Sequence, residues 1–322
     1  MTILPAVLRE RLRLPVMAAP MFLVSGPELV IAQSLAGVIG SFPTLNARPQ
    51  EVLSDWLDQI GETLADHDAD HPERPAAPYA VNLVVHRTNT RLEADLADVC
   101  AHRVPIVVTS LGARPEVNEA VHAYGGLVLH DVTSDDFARK AIAKGADGLI
   151  AVAAGAGGHA GAQSPFALLN EIRAWFDGPL LLSGAMAHGR SLLAAEAAGA
   201  DLAYVGSAFL ATDEAAAAPR YKEMVVAASA RDIVTSATFT GIPANYLRPS
   251  IEAVGLDPDR LTAPDGSAPA WDGGTGEIRA WRDVWGAGQG VGSVDAVRPV
   301  AGLVDRLAAQ YEEARAALLA RP

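Results

Sequence analysis

Eight short apolar runs recur along this chain, each followed by Gly, Ser, Asn or Asp and then by a helix-like stretch. They are Val16–Ala19, Gly37–Ser41, Tyr79–Val84, Ile106–Thr109, Leu127–Leu129, Gly148–Val152, Leu180–Ser183 and Leu202–Val205. Short apolar strands alternating with amphipathic helices indicate a parallel sheet covered by helices. Eight such units predict an α/β fold, a closed (β/α)8 TIM barrel, with a doubly wound open sheet as the alternative. Two units look alike: AKGADGLI (Ala143–Ile150) and AAGADLAY (Ala197–Tyr204) each place a Gly at a helix end, then Ala-Asp, then a strand. Gly145 and Gly199 suit left-handed helix caps, where a Cβ would be strained.

The pattern stops after about Thr212. Residues 215–245 read as Ala-rich helix followed by TSATFTGIPANYLRPS, residues 255–280 as Gly, Pro and Asp-rich loop, and the chain ends in a long amphipathic helix. We therefore expect a barrel over 1–214, a small α-rich domain covering the substrate over 215–280, and a segment over 281–322 whose helix packs back onto the barrel. With 322 residues, half of them apolar, the chain can bury a core of this size.

The formal net charge of −13 argues against nucleic acid, whose phosphates call for basic side chains. Cys100 stands alone, which excludes intramolecular disulfides and a cysteine metal cluster. The N-terminal MTILPAVLRERLRLP does not read as a signal peptide, and no apolar run approaches the roughly 18 residues of a membrane span. A cytoplasmic protein without a membrane partner is the expectation. Oligomeric state is not legible, which leaves a homodimer open.

In a barrel of this kind, chemistry belongs at the C-terminal ends of the strands. Asn82, Thr109-Ser110, His130-Asp131, Ser183-Gly184 and Gly206-Ser207 all fall there, as does the loop GAGGHAG (Gly155–Gly161). LLLSGAMAHGRS and YVGSAFLA each put Ser and Gly between a strand and a helix, the seventh and eighth units. Phosphate is frequently held by those two loops, through backbone N–H groups that Gly leaves accessible. This points to Ser183, Gly184, Gly206 and Ser207 as a phosphate site, with tight turns as the plainer reading. In GAGGHAG, Gly157 and Gly158 would let a flat ring lie against the backbone. His159 would stand at the rim as general base, general acid or local charge. Ser164-Pro165 reads as the N-cap and first residue of the next helix.

The other histidines carry less. His102 and His122 fall in helical segments, and His188 reads as a surface residue. His130 faces either the site, touching substrate, or a structural partner. HDADH (His67–His71) resembles a metal motif but lies in what reads as a polar, Pro-flanked connection, so no metal site is expected.

APM (Ala19–Met21), VNL (Val81–Leu83), GGHAG (Gly157–Gly161), SGA (Ser183–Ala185), GSAFLATDE (Gly206–Glu214) and AGQG (Ala287–Gly290) occur in an order that resembles the nitronate monooxygenase family, formerly the 2-nitropropane dioxygenases. The resemblance covers nearly the whole chain. It implies non-covalent FMN, with Ala19, Pro20 and Met21 along the isoalloxazine, Asn82 bonded to flavin or ribityl groups, and Ser183, Gly184, Ala185, Gly206 and Ser207 around the phosphate. It makes His159 the catalytic histidine and the substrate an alkyl nitronate oxidised with O2 to a carbonyl compound and nitrite. Related quinone and enoyl-ACP reductases share the barrel and a similar motif. The alternatives are therefore an NAD(P)H-dependent reductase of quinones or enoyl thioesters, and a non-catalytic FMN-binding module. The chain departs from the family where Gln-Gly-x-Glu-Ala usually precedes Gly-Gly-His: Val152 to Ala156 stand there instead. Asp131 occupies a position beside the flavin where the quinone reductase branch has Lys. Tyr246 and Arg248 are candidates for a substrate mouth, or for a packed loop.

Overall fold

The computed structural model describes residues 5–262 and 278–320. Part of the stretch expected as loop and second domain, residues 263–277, lies outside the described residues. Eleven strands are described: β1 (Val16–Ala18), β2 (Gly40–Pro43), β3 (Tyr79–Val84), β4 (Ile106–Ser110), β5 (Leu127–Val132), β6 (Gly148–Val152), β7 (Gly158–His159), β8 (Leu180–Ser183), β9 (Leu202–Val205), β10 (Ile233–Ser236) and β11 (Ala244–Leu247). The helices are α1 (Pro27–Leu35), α2 (Val52–Asp70), α3 (Leu92–Ala101), α4 (Pro115–His122), α5 (Asp135–Ala143), α6 (Pro165–Arg173), α7 (Gly189–Ala197), α8 (Ser207–Leu210), α9 (Pro219–Ala227), α10 (Arg248–Ala253) and α11 (Val300–Leu319).

Each of the eight apolar runs supplies a strand of one parallel sheet, in the order β1-β9-β8-β6-β5-β4-β3-β2. A parallel bridge between Met17 and Ile39 joins the two ends, with Ala18 N–H donating to Ile39 O at 2.8 Å, so the sheet closes into a barrel. Side chains alternate across a strand, which sorts the barrel residues into two sets. Met17, Ile39, Ala80, Ile106, Val108, Leu129, Ile150, Leu181 and Leu202 meet inside the barrel, joined by Leu8 from the short 3-10 turn Ala6–Leu8. Their sequence neighbours, such as Val107, Val128 and Leu182, pack outward in the clusters beneath the helices.

The eighth helical position is filled in an unusual way. Directly after β9 comes only the four-residue α8. The C-terminal α11 lies against α1 and α7, burying Val300, Leu303, Val304 and Leu307. Gln310 accepts the Gly189 N–H at the start of α7, and Tyr311 bonds Glu196. Between α8 and α11 the chain adds α9, α10, β10 and β11, and these two strands join β7 in an antiparallel sheet, β10-β11-β7. That sheet has its own cluster of Ala244, Tyr246, Ile251, Ala280 and Val284. Its third strand is part of the glycine loop, with Ala244 opposite His159 and Asn245 opposite Gly158.

The HDADH stretch is helix, not connection. Leu53, Leu57, Ile60 and Leu64 bury one face of α2, and this stripe carries the helix on to Asp70. His67 and His71 stack one turn apart, ring centroids 4.5 Å apart. Among the described residues no group of three or more His, Cys, Asp or Glu is arranged to hold a metal ion. No described helix is long and apolar enough to cross a membrane.

Candidate functional site

A cavity of about 1060 Å3 opens at the C-terminal ends of the strands. The inward alternation of the barrel continues into it. Ala19, Asn82, Ser110, Asp131, Val152, Ser183 and Tyr204 follow the interior apolar layer on their strands and line the cavity. Three of them are joined in a chain: Asn82 Nδ2 donates to Ser110 Oγ at 2.6 Å, and Ser110 Oγ donates to Asp131 Oδ2 at 2.6 Å. Burial raises the Asp131 pKa to about 6, against the lowering effect of the Ser110 bond. Burial raises the Tyr204 phenol well above its usual value, and the charge of Asp131 adds to that.

His130 takes the opposite side of β5. Being one residue from Asp131, it points away from the barrel interior, which removes it from the centre of the site. Its Nδ1 lies 2.6 Å from Thr109 Oγ1, another outward residue, and it reaches the cavity wall alongside Lys140 and Ala141 of α5 and Lys144 just beyond it. Burial, then the charge of Lys144, lowers its pKa to about 4. Its geometry is that of a buried structural histidine.

The glycine loop after β6 forms another wall. Here the glycines make room for backbone as well as for the cavity. A Cβ on Gly157 would lie 2.9 Å from Gly288 N, and one on Gly288 would lie 2.6 Å from Gly155 O. Gly155 O accepts the N–H groups of Ala185 (3.2 Å) and Gln289 (2.9 Å), and Asn245 Nδ2 donates to Ala156 O at 2.6 Å. The AGQG segment is thus the backbone counterpart of GAGGHAG. Ser164 precedes α6, whose first residue is Pro165, but its side chain makes no capping bond.

His159 sits at the rim, half-buried. Its Nε2 lies 3.2 Å from Thr240 Oγ1, and its ring meets the edge of Trp281 at 5.6 Å and 88°. Burial lowers its pKa to about 4, so the imidazole is neutral at pH 7. Trp281 has a φ of 69° and stacks on Tyr246. Three of the five described non-glycine residues with positive φ, Leu111, Ala185 and Trp281, line this cavity, as strained backbone tends to do at functional sites.

Next to this wall stand the turns after β8 and β9. The backbone N–H groups of Gly184, Gly206 and Ser207 have no hydrogen-bond partner among the described residues, and all three residues line the cavity. Ser207 Oγ accepts the Gly288 N–H at 2.8 Å. The Ala185 amide is engaged by Gly155 O.

Of the residues singled out in the sequence, Ala19, Pro20, Met21, Asn82, Asp131, Gly157, Gly158, His159, Ser183, Gly184, Ala185, Gly206 and Ser207 share this one cavity. Tyr246 does not. It is fully buried behind Trp281, against Phe239, because the inner face of the small sheet takes it into that sheet's own core. Arg248 pairs through both terminal nitrogens with Asp259, at 2.9 and 3.0 Å, away from the cavity wall. His188 caps α7, its Nδ1 accepting the Arg190 N–H. Thr240, Trp281 and Tyr204 were missed. Thr240 and Trp281 stand in segments with no periodic signal, and Tyr204 reads in sequence as one more apolar strand residue.

A family model described as nitronate monooxygenase matches residues 8–254. The chain belongs to the nitronate monooxygenase family. A nitronate monooxygenase of Metarhizium robertsii is 32% identical over 231 residues, 66% of this chain and 63% of its own length. An octahydroindene-carboxyl-CoA dehydrogenase of Rhodococcus jostii is 27% identical over 233 residues, 72% of this chain and 62% of its own. The solved nitroalkane oxidase of Streptomyces ansochromogenes superposes with a TM-score of 0.76 at 26% identity, covering 97% of this chain and 99% of that one. The aligned segments span 42%, 62% and 63% of the lengths of the first three curated relatives.

Proposed function

We propose that the chain is an FMN-dependent oxidoreductase of the nitronate monooxygenase type, which oxidises alkyl nitronates with O2 to a carbonyl compound and nitrite. The observation that carries this reading is a neutral histidine lining one cavity with three unpartnered backbone amides. Such amides, beside a glycine without a side chain, fit a phosphate. The cavity volume suits a cofactor with a substrate above it. Gly184, Gly206 and Ser207 would hold the phosphate, Ala19 to Met21 and Gly157-Gly158 would border the ring, and Asn82 and Asp131 would lie at the barrel end of the cavity. The flavin, when bound, accepts the substrate's electrons and passes them to O2. His159 carries no charge at neutral pH, so it acts as a proton acceptor or hydrogen-bond partner, not as a fixed cation for an anion. Trp281 screens one edge of it from water.

Anaerobic propionate 3-nitronate should bleach the bound flavin; an unchanged spectrum refutes the reading. His159→Ala should retain FMN and lower turnover of a neutral nitroalkane about a hundredfold or more. Loss of FMN would instead make His159 a structural residue.

A second reading is an NAD(P)H-dependent flavin reductase acting on quinones or enoyl thioesters. It is favoured by the dehydrogenase of Rhodococcus jostii, whose name carries a CoA thioester, and by Val152 and Gly155 standing where the family has polar residues. Bleaching by NADH or NADPH with no response to nitronates would select it. A fully loaded flavin that neither reductant changes would mark a non-catalytic FMN-binding module.

A further inference from the structure

The loop before β11 fixes which nitrogen of His159 can take a proton. Thr240 is almost fully buried, and its hydroxyl is held on both sides. Oγ1 donates to Ile242 O at 3.0 Å and accepts the Ile242 N–H at 3.4 Å. A hydroxyl owns one proton. With that proton on the Ile242 carbonyl, the hydrogen between Thr240 Oγ1 and His159 Nε2 belongs to the imidazole. A neutral imidazole has a single N–H, so Nδ1 holds the lone pair. Nδ1 has no partner among the described residues, on a side chain that lines the cavity. The ring and its backbone both have fixed neighbours. Its backbone is tied to Ala244 through the β7–β11 pairing, and Trp281 stands against it.

We propose that Thr240 is a positioning residue, whose hydroxyl holds His159 as the Nε2–H tautomer and makes Nδ1 the atom that takes the substrate proton. This rests on the reading of the site as one that oxidises nitro compounds. In the step, the C–H bond next to the nitro group of a neutral nitroalkane breaks. The electron pair stays with the substrate as its nitronate, and the proton goes to Nδ1. The resulting imidazolium keeps its Nε2–H on Thr240. A nitronate supplied ready-made has already lost that proton and bypasses the step.

The test uses the full-length, FMN-loaded protein labelled with 15N-histidine, with the His159 signals assigned by their loss in His159→Asn. Long-range proton–nitrogen correlation at pH 7 should show a protonated Nε2 and an unprotonated Nδ1. Thr240→Ser should keep that pattern and Thr240→Val should lose it. In Thr240→Val, kcat on a neutral nitroalkane should fall at least tenfold more than kcat on the preformed nitronate, with Thr240→Ser restoring the ratio. An Nδ1–H tautomer in the wild-type protein overturns the proposal, as does an equal loss on both substrates. If Thr240→Val fails to fold, the wild-type and Thr240→Ser spectra decide. A wild-type protein with the expected tautomer but no response to either substrate would sink the functional reading and leave the tautomer assignment standing.

Discussion

The cavity has two glycine-rich walls, and Gly288 and Gly206 within them serve opposite ends. In the wall made by 155–161 and 287–290, the space left by the missing side chains of Gly157, Gly161, Gly288 and Gly290 is filled by other backbone. A Cβ on Gly157 or Gly288 would lie under 3 Å from a main-chain atom. In the turn after β9, Gly206 has room for a methyl, its would-be Cβ in ordinary contact with Ala19 Cβ at 3.5 Å, whereas Gly184, after β8, backs onto Ala154 O at 2.8 Å. The neighbouring amides have no partner in the described residues. One wall is a backbone joint that holds His159 and the small sheet to the barrel. The other, at Gly206 and Ser207, presents unpartnered backbone amides to the cavity. A glycine motif therefore says little until one asks what occupies the volume of the absent Cβ.

The sharpest way to break this contrast is Gly288→Ala. The new methyl would meet Gly155 O at 2.6 Å and Gly157 N at 2.8 Å, both main chain, so the two segments must separate. Overpacking against atoms that cannot rotate away should cost about 2–4 kcal/mol. The urea midpoint should fall with an unchanged slope. A midpoint equal to that of the wild type would show that the walls are not joined in this way.

Ser207→Ala comes next, because Ser207 belongs to both walls. Its hydroxyl accepts the Gly288 N–H, and removing it leaves that amide without its partner. A loss of about 1–3 kcal/mol is expected. A loss confined to FMN affinity, with no change in the urea midpoint, would place Ser207 on the ligand side alone.

The barrel was legible because eight apolar runs, each backed by a helix-like stretch, leave few other ways to bury so much apolar surface. The residues at the strand ends were legible for the same reason: once the strands are placed, their C-terminal ends are known. What alternation decides was harder to see. His130 and Asp131 are adjacent in sequence, yet Leu129 in the barrel interior fixes Asp131 as inward and His130 as outward. The apolar run that marks β5 in the sequence stops at Leu129, two residues short of where this parity acts. Thr240 and Trp281 were out of reach because their roles come from a small sheet whose third strand is two residues of the glycine loop. Nothing in a local pattern announces such a long-range pairing.

Asp131 offers a smaller test, on the barrel floor between the walls. Its folded pKa of about 6 lies above the 3.8 of an unperturbed aspartate, so the folded state binds the proton more tightly. The stabilisation is complete below pH 3.8 and is lost as pH rises through 6. In cofactor-free protein, Asp131→Asn removes this dependence while keeping an acceptor for Ser110. It should raise stability by about 1–2 kcal/mol at pH 7.5, and by less at pH 5. A gain equal at both values would mean that Asp131 does not titrate in this range.

The smallest effect on stability is expected from Gly206→Ala. Its φ of −110° is open to any residue, and the added methyl would sit at ordinary contact distance from Ala19. Stability of the cofactor-free protein should stay within about 0.5 kcal/mol of the wild type, as for a change that disturbs no packed feature. The methyl would nevertheless project beside the unpartnered amides of Gly206 and Ser207, where an incoming phosphate has to reach the main chain. FMN affinity, measured by flavin fluorescence on titration, should therefore fall about tenfold while the unfolding midpoint holds. Gly288→Ala should show the reverse priority, with the fold weakened first. If Gly206→Ala also unsettles the fold, the second wall is a joint like the first. If it leaves FMN binding untouched, the amides serve something other than a phosphate.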